Sequence, residues 1–342
     1  MTECFDWLVI GAGPAGIASV GKLIDHGVNP KGIGWVDPHF GVGDLGLKFN
    51  QVPSNTKVRL FLRFLEECKA FKYQNKSKID ELDPEENCKL QYVVDPLQLV
   101  TDHLKKEVVS FKDIAMALNL QNGKWEVKLK KGSILSGKKV IVAIGSEPKE
   151  LPYPVHNVLP IEVALHPEKL SHAIGPKDTI GVFGSSHTAF LVLANLHSIK
   201  AQIINFYRSP HRYAVYLNDW ILFDDTGLKG FTAQWAKKHI DGTWPSNLKR
   251  VMISDCTFEE SLSLCTKVVY ATGFERRKVP VLEQFGGVGY NDKTGIIAPN
   301  LFGLGIAFPQ AKFDRLGNLE FRVGLWKFMD YLNEILPIWM ST

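Results

Sequence analysis

The chain has 342 residues, 45% of them hydrophobic, and a formal net charge of +4. That length suggests two domains, and the apolar fraction can supply a core for each. The charge is too small and too scattered for a nucleic-acid surface, and no apolar run reaches the ~18 residues that would suggest a membrane span.

Phe5 to Ile10 is a short apolar run ending in Gly11-Ala12-Gly13-Pro14-Ala15-Gly16. Helical periodicity follows through Ile17, Val20, Leu23 and Ile24, and a second apolar run, Gly32 to Val36, ends in Asp37. Strand, glycine turn, helix, strand and acid thus stand in order, with Asp37 about 20 residues after Gly16, as a dinucleotide-binding βαβ unit requires. Gly11 permits the tight turn, Gly13 lets the backbone approach a pyrophosphate, and Gly16 lets helix and strand pack closely. The helix that starts at Pro14 offers the free N–H groups from Ala15 onward and a positive dipole end to the phosphates. Asp37 can accept both ribose hydroxyl protons.

Residues 40–60 are Gly-rich and polar. Leu60 to Phe71 and Pro96 to Val108 are expected as helices, separated by a charged surface excursion from Asn75 to Asn87. Ile114 to Leu120, Lys124 to Leu129 and Lys138 to Ala143 are expected as strands, with turns at Asn122-Gly123 and Lys131-Gly132. The lysines between Lys124 and Lys139 interleave with apolar residues and form the wet face of a hairpin.

A second unit of the same kind begins near residue 179. Thr179 to Phe183 predicts a strand, Gly184-Ser185-Ser186-His187-Thr188-Ala189 a turn, Phe190 to Ser198 a helix, and Ala201 to Tyr207 the next strand, ending at Arg208. Ser186 and Ala189 stand where the second and third glycines would be and are small enough to keep the approach. A cation in place of the acid, with His211 and Arg212 nearby, suits a 2′-phosphate and favours NADPH over NADH; the alternative is ordinary surface charge. His187 is expected in the helix's first turn as a phosphate-side or capping residue rather than a base. Lys267 to Tyr270 is another strand, closed by Ala271-Thr272-Gly273. Asn300 to Phe308 forms a strand and loop. Val323 to Leu336 forms a helix with Val323, Leu325, Trp326, Met329, Leu332 and Ile335 on its apolar face.

The two turns make an internal duplication. The expected fold class is α/β, with two Rossmann-like dinucleotide-binding domains, the first discontinuous: residues 1–149 and 285–342, with 150–284 between. The aromatic residues from Phe206 to Trp244 leave three readings open: a substrate-pocket wall, a partner surface or core packing. The five cysteines (Cys4, Cys68, Cys88, Cys256 and Cys265) include no CxxC pair, and the acidic start lacks the basic opening of a signal peptide. Free thiols and a cytoplasmic location are the simplest expectation.

The chain resembles the FAD- and NAD(P)H-dependent pyridine nucleotide oxidoreductase superfamily, which includes thioredoxin-reductase-like enzymes, flavin-containing monooxygenases and lysine or ornithine N-monooxygenases. The resemblance covers nearly the whole chain. It rests on Gly11 to Gly16, on Val140 to Gly145 (VIVAIG), on the Gly184 turn and on Val268 to Phe274 (VVYATGF). It implies FAD at the first turn and NADPH at the second, with Gly145 and Gly273 closing the strands that hand the chain between domains. Gly305, within Leu301 to Ala307, would belong to the last FAD motif. That motif usually reads apolar-Gly-Asp, the Asp bonding the ribityl chain; this chain lacks the Asp, leaving Asp44 or Asn55 to supply the bond. Asn55 and Lys57, in Val52 to Lys57, are expected beside the isoalloxazine, or else form a plain polar turn. His156 and His166 lie where flavin-containing monooxygenases carry a histidine, but in different surroundings. The last helix would aim its N-terminus, near Gly324, at the flavin's pyrimidine edge.

Disulfide reductases carry a redox cysteine pair beside the flavin, and this chain has none, so thiolate relay chemistry is not expected. The implied activity is an FAD-dependent, NADPH-consuming oxidoreductase whose reduced flavin passes electrons to an acceptor, or to O2 to hydroxylate a small-molecule substrate. The competing class is a nucleotide-binding protein or sensor that has lost turnover. The oligomeric state is left open.

Overall fold

Unbroken apolar runs form the middle of the first sheet. Cys4–Ile10 pairs in parallel with Ile33–Val36 on one side and with Ile134–Val142 on the other. Val109–Phe111 extends the near edge, and Leu301–Gly303 pairs with the far side of Ile134–Val142. Strands covered on both faces need apolar side chains on both, which is why these runs stand out in the sequence. The first half of Ile134–Val142 instead pairs antiparallel with Lys124–Leu129, and that strand with Ala115–Gln121. There burial alternates, with Trp125, Val127 and Leu129 inside and Lys124 and Lys128 outside. Asn122 and Gly123 both take positive φ (50° and 74°), as a two-residue hairpin turn matched to the strand twist requires.

The computed structural model describes residues 4–153, 157–282, 284 and 289–342. Its second sheet is parallel, in the order Leu248–Met252, Gln202–Tyr207, Thr179–Phe183, Lys267–Tyr270. Two Rossmann-like α/β units result, and the first is discontinuous because Leu301–Gly303 belongs to its sheet. The chain already rejoins that sheet at Val281–Leu282, beside Ala117 and Leu118. Residue 285, the expected boundary, lies outside the described residues.

Several elements differ from expectation. Helix Gln91–Glu107 starts before Pro96 and carries it inside, and helix Leu325–Ser341 runs through Pro337. In both, burial outweighs the lost backbone donor: Val93, Val94, Pro96 and Leu97 are buried in the first. In the second, the Trp339 ring stacks on Phe302 at 4.7 Å and its indole donates to Thr294 O at 2.7 Å. The expected helix from Leu60 divides into Val58–Glu66 and a short turn, Lys69–Phe71. Strand Leu248–Met252, helix Gly230–His239 and the hairpin Gln310–Phe313/Leu319–Arg322 were not expected. The last helix buries Leu325, Phe328, Met329, Leu332, Ile335, Leu336 and Trp339. Val323 and Trp326 fall off that face: Val323 is exposed, and Trp326 lies beneath Arg63, Arg322 and Lys327.

The aromatic segment serves more than one of its expected roles. Phe206 and Trp235 are core, whereas Tyr216 and Trp220 line a groove of about 630 Å³ with Trp326 and Arg63. The same segment ties the two halves together. Lys327, 5% exposed, bonds Asp225 Oδ1 at 2.6 Å and also reaches Asp224, which Lys229 shares. Glu320 accepts from Asp225 N (3.2 Å) and Thr226 Oγ1 (3.1 Å). Burial opposes ionisation of Asp224, but Lys327 and then Lys229 outweigh it and hold its carboxyl below the usual range. Removing Lys327 leaves Asp225 and Glu320, two largely covered acids in contact, without the cation beside them. Lys327→Met is therefore expected to cost about 3–5 kcal/mol, read from urea denaturation midpoints.

Candidate functional site

A cavity of about 440 Å³ opens at the carboxyl ends of the first sheet's strands, within the usual range for small-molecule sites. Gly11, Gly13, Pro14, Asp37, Gly43, Asp44, Gly145, Phe274, Arg277, Ile306 and Gly324 are on its wall. Each glycine of the first turn has a distinct steric reason. A Cβ on Gly11, whose φ is 108°, would sit 2.2 Å from Ala143 O, and one on Gly16 would sit 1.9 Å from Gly11 O. A Cβ on Gly13 would meet only Gly43 Cα, at 3.9 Å, so the protein leaves that space to something else. Helix Pro14–Asp25 starts there with no side-chain cap, and Pro14 at its first position removes a donor that would have had no partner. The free N–H groups from Ala15 onward suit a phosphate.

Asp37 sits at the expected place but is already engaged. It is 8% exposed; Oδ2 accepts from Ala12 N (2.7 Å), and Oδ1 from His39 N (2.8 Å) and Phe40 N (2.7 Å). A carboxylate has about four acceptor positions. Asp37 therefore has room for one further hydroxyl, not the two expected of it.

Asn55 and Lys57 are not brought to the cavity. Their strand, Pro53–Lys57, pairs with Asn87–Lys89, and Lys57 Nζ turns to Glu85 at 2.6 Å and lies over Tyr216. Asn55 Oδ1 accepts from Thr56 Oγ1 at 3.3 Å. Asp44, the other residue considered for the missing ribityl bond, is on the wall, paired with Arg277 Nη2 at 2.6 Å and with Lys48 at 3.3 Å. Arg277 had no sequence signal; its Nε is buried beside the cavity without a hydrogen-bond partner. Gly305, with φ 88°, allows a close approach to Ala15, whose Cβ would stand 2.7 Å from a Cβ at 305, and so presents Ile306 to the cavity. Gly324 begins the last helix, with φ 150° and no side-chain cap, and Val323, Leu325 and Phe328 complete the wall. His166 bonds Lys48 O at 2.9 Å through Nε2; His156 lies outside the described residues.

The second turn repeats the build. A Cβ on Gly184, whose φ is 129°, would come 2.3 Å from Ala271 O, as Gly11 does with Ala143. Helix His187–Ser198 starts after Ser185 and Ser186 with no side-chain cap. Asn205, buried in the neighbouring strand, donates to Val182 O and Gly184 O, both at 2.9 Å, and braces the turn. A polar residue inside the apolar run Gln202–Tyr207 was the only sequence signal of that role. His187 does not face outward as a phosphate-side group. Thr232 Oγ1 gives its proton to Lys229 O, so His187 Nδ1 donates to Thr232, at 2.8 Å. Burial, with Lys229 nearby, pushes its pKa down to about 4, and the ring is neutral. Arg208 stands exposed just past its strand. Gly273, with φ 98° and open space about it, turns the chain from Lys267–Tyr270 into Phe274–Arg276, which pairs with Ser146–Pro148 beside Gly145. This crossing brings Phe274 and Arg277 into the first cavity.

None of the five cysteines is on the cavity wall. Burial, then Asp25, pushes the Cys68 thiol up to about 12, and burial pushes Cys88 and Cys265 up to about 11. Among the described residues no helix is long and apolar enough to cross a membrane.

Three comparisons bear on this geometry. Residues 5–298 match the family described as pyridine nucleotide-disulphide oxidoreductase. The monooxygenase AgnR1 of Paecilomyces divaricatus is 32% identical, over 98% of this chain and 97% of that protein. Among solved structures, the fold is shared by a flavin-containing monooxygenase from Stenotrophomonas maltophilia (TM-score 0.66, 13% identity) and by the bacillithiol disulfide reductase Bdr of Staphylococcus aureus (TM-score 0.65, 10% identity). Each covers 99% of both chains. A family match over most of the chain, a relative aligned over 98% of it and two glycine turns of similar build agree: the chain belongs to the pyridine nucleotide-disulphide oxidoreductase family of flavin-dependent oxidoreductases.

Proposed function

We propose that this protein is an FAD-dependent, NADPH-consuming oxidoreductase of the monooxygenase kind, acting on a small-molecule substrate. The observation that carries this reading is the Gly13 cradle. It is an uncapped helix start facing a cavity, with space that only a glycine leaves open; the second turn repeats the tight turn of Gly11, at Gly184, and the uncapped helix start. When bound, FAD supplies acceptance of hydride from NADPH and delivery of electrons to an acceptor or to O2.

The chain's own residues position and polarise. The first turn holds the pyrophosphate through backbone N–H groups, and Asp37 accepts one ribose hydroxyl. Asp44, with Arg277 fixed against it, takes the ribityl contact that the last motif lacks. The helix that begins at Gly324 turns its positive end to the cavity and favours negative charge there. Leu45, Leu47, Phe49, Ile306 and Leu325 exclude water.

The resemblance of AgnR1 supports monooxygenase chemistry, and the distance of every thiol from the cavity argues against a disulfide relay. Anaerobic titration with NADPH should bleach the visible flavin absorbance, and air should restore it with consumption of O2. A colourless protein, or a yellow one that NADPH leaves unbleached, would sink the proposal. Replacing all five cysteines by Ser or Ala should leave the titration unchanged. Loss of bleaching from one cysteine replacement, with flavin still bound, would show a thiol in the electron path.

A further inference from the structure

We propose that the 2′-phosphate of the nicotinamide nucleotide is held by a half-buried pair, Arg250 and His211, and not by the exposed Arg208. This rests on the reading of the Gly184 turn as an NADPH site. Arg250 lies on Leu248–Met252, opposite Asn205 in the register between that strand and Gln202–Tyr207. Its Nε donates to Asn205 Oδ1 at 2.8 Å, and its guanidinium lies 4.5 Å over the Tyr207 ring and 5.8 Å from that of Phe190. These contacts fix the plane of the fork, yet Nη2 is buried with no hydrogen-bond partner. His211 packs on the same Phe190 ring, at 5.2 Å, and its Nδ1 is buried and unpartnered as well.

Four such orphaned side-chain atoms occur among the described residues, and two of them flank one ring beside the nucleotide turn. Buried donors without acceptors are costly and uncommon. A guanidinium cannot escape the cost by losing its proton. The acid close by, Asp241, is engaged by Tyr213 OH (2.5 Å) and His211 Nε2 (3.4 Å). Among the described residues Arg250 forms no ion pair. An ionised phosphate monoester supplies the acceptor oxygens that Arg250 Nη2 lacks, and its charge favours the imidazolium form in which His211 Nδ1 donates as well; a guanidinium held in plane suits it better than a free surface arginine.

The test uses two probes without nicotinamide, adenosine 2′,5′-bisphosphate and 5′-AMP, titrated calorimetrically into the flavin-loaded protein. The wild type should prefer the bisphosphate. Arg250→Met should abolish that preference, losing roughly ten- to hundredfold in bisphosphate affinity while 5′-AMP binding holds, and Arg208→Ala should change neither. Equal loss of both probes in Arg250→Met would reduce Arg250 to a brace for Asn205 and overturn the assignment. So would loss of the preference in Arg208→Ala. Should Arg250→Met fail to fold by thermal melting, Arg250→Lys carries the same comparison, with an unchanged preference counting against us. A wild type that binds neither probe would remove the nicotinamide-nucleotide reading itself, a result separable from the others.

Discussion

Replacing Gly13 with valine is expected to give a folded protein without colour. The protein itself places nothing near the new Cβ except Gly43 Cα at 3.9 Å, so the substitution meets little resistance in folding. The branched side chain would occupy the space through which a pyrophosphate approaches the helix start, and no rotamer removes both methyl groups from it. Gly16→Ala should behave in the opposite way. Its Cβ would stand 1.9 Å from Gly11 O, a backbone atom fixed by the turn, so a single methyl group should destabilise the fold by at least the 1–3 kcal/mol typical of overpacking. Visible absorbance and a thermal melt on both variants separate the cases. Retained yellow colour in Gly13→Val would show that the cradle is not where the flavin phosphates lie.

Deleting Leu325–Ser341 should abolish both flavin binding and folding. Leu325, Phe328, Met329, Leu332, Ile335, Leu336 and Trp339 are buried against the first domain. At roughly 1.5–3 kcal/mol for each large apolar side chain removed from water, their loss comes to about 10–20 kcal/mol, as large as the 5–15 kcal/mol that ordinarily separates native from unfolded chains. The deletion also strips Leu325 and Phe328 from the cavity wall. Were the helix a peripheral tail, the shortened chain would keep its colour and its melting temperature, so the two measurements decide the matter.

What the sequence revealed and what it hid follow from how far each contact reaches along the chain. The Phe5–Gly16 stretch was legible because strand, turn and helix start are local, and steric demands at Gly11 and Gly16 leave few residues acceptable there. The Lys124–Leu129 alternation was legible for the same reason. Proline misled twice: Pro96 and Pro337 suggested helix ends, but buried neighbours on either side carried each helix past a missing donor. Asn55 and Lys57 misled differently. Chain order placed them near the flavin, whereas Pro53–Lys57 is drawn into a hairpin and Lys57 to Glu85. Asp44 and Arg277 meet across 233 residues, and no local pattern announces such a pair. Asn205 was visible as a polar residue in an apolar strand, but its partners come from two other strands.

The buried charges around Lys327 make the two halves of this chain poor candidates for exchange with relatives. A chimera that imports the second α/β unit without Asp224 and Asp225 would enclose Lys327 with no counter-charge. One that imports the first unit without Lys327 would leave Asp225 without its cation and Asp224 with Lys229 alone. Selection on either segment therefore constrains the other, although Asp225 and Glu320 stand 95 residues apart in the chain. Any recombinant built from one part of this chain must carry the aromatic segment, the Gln310–Arg322 hairpin and the first turn of the last helix as one inherited block.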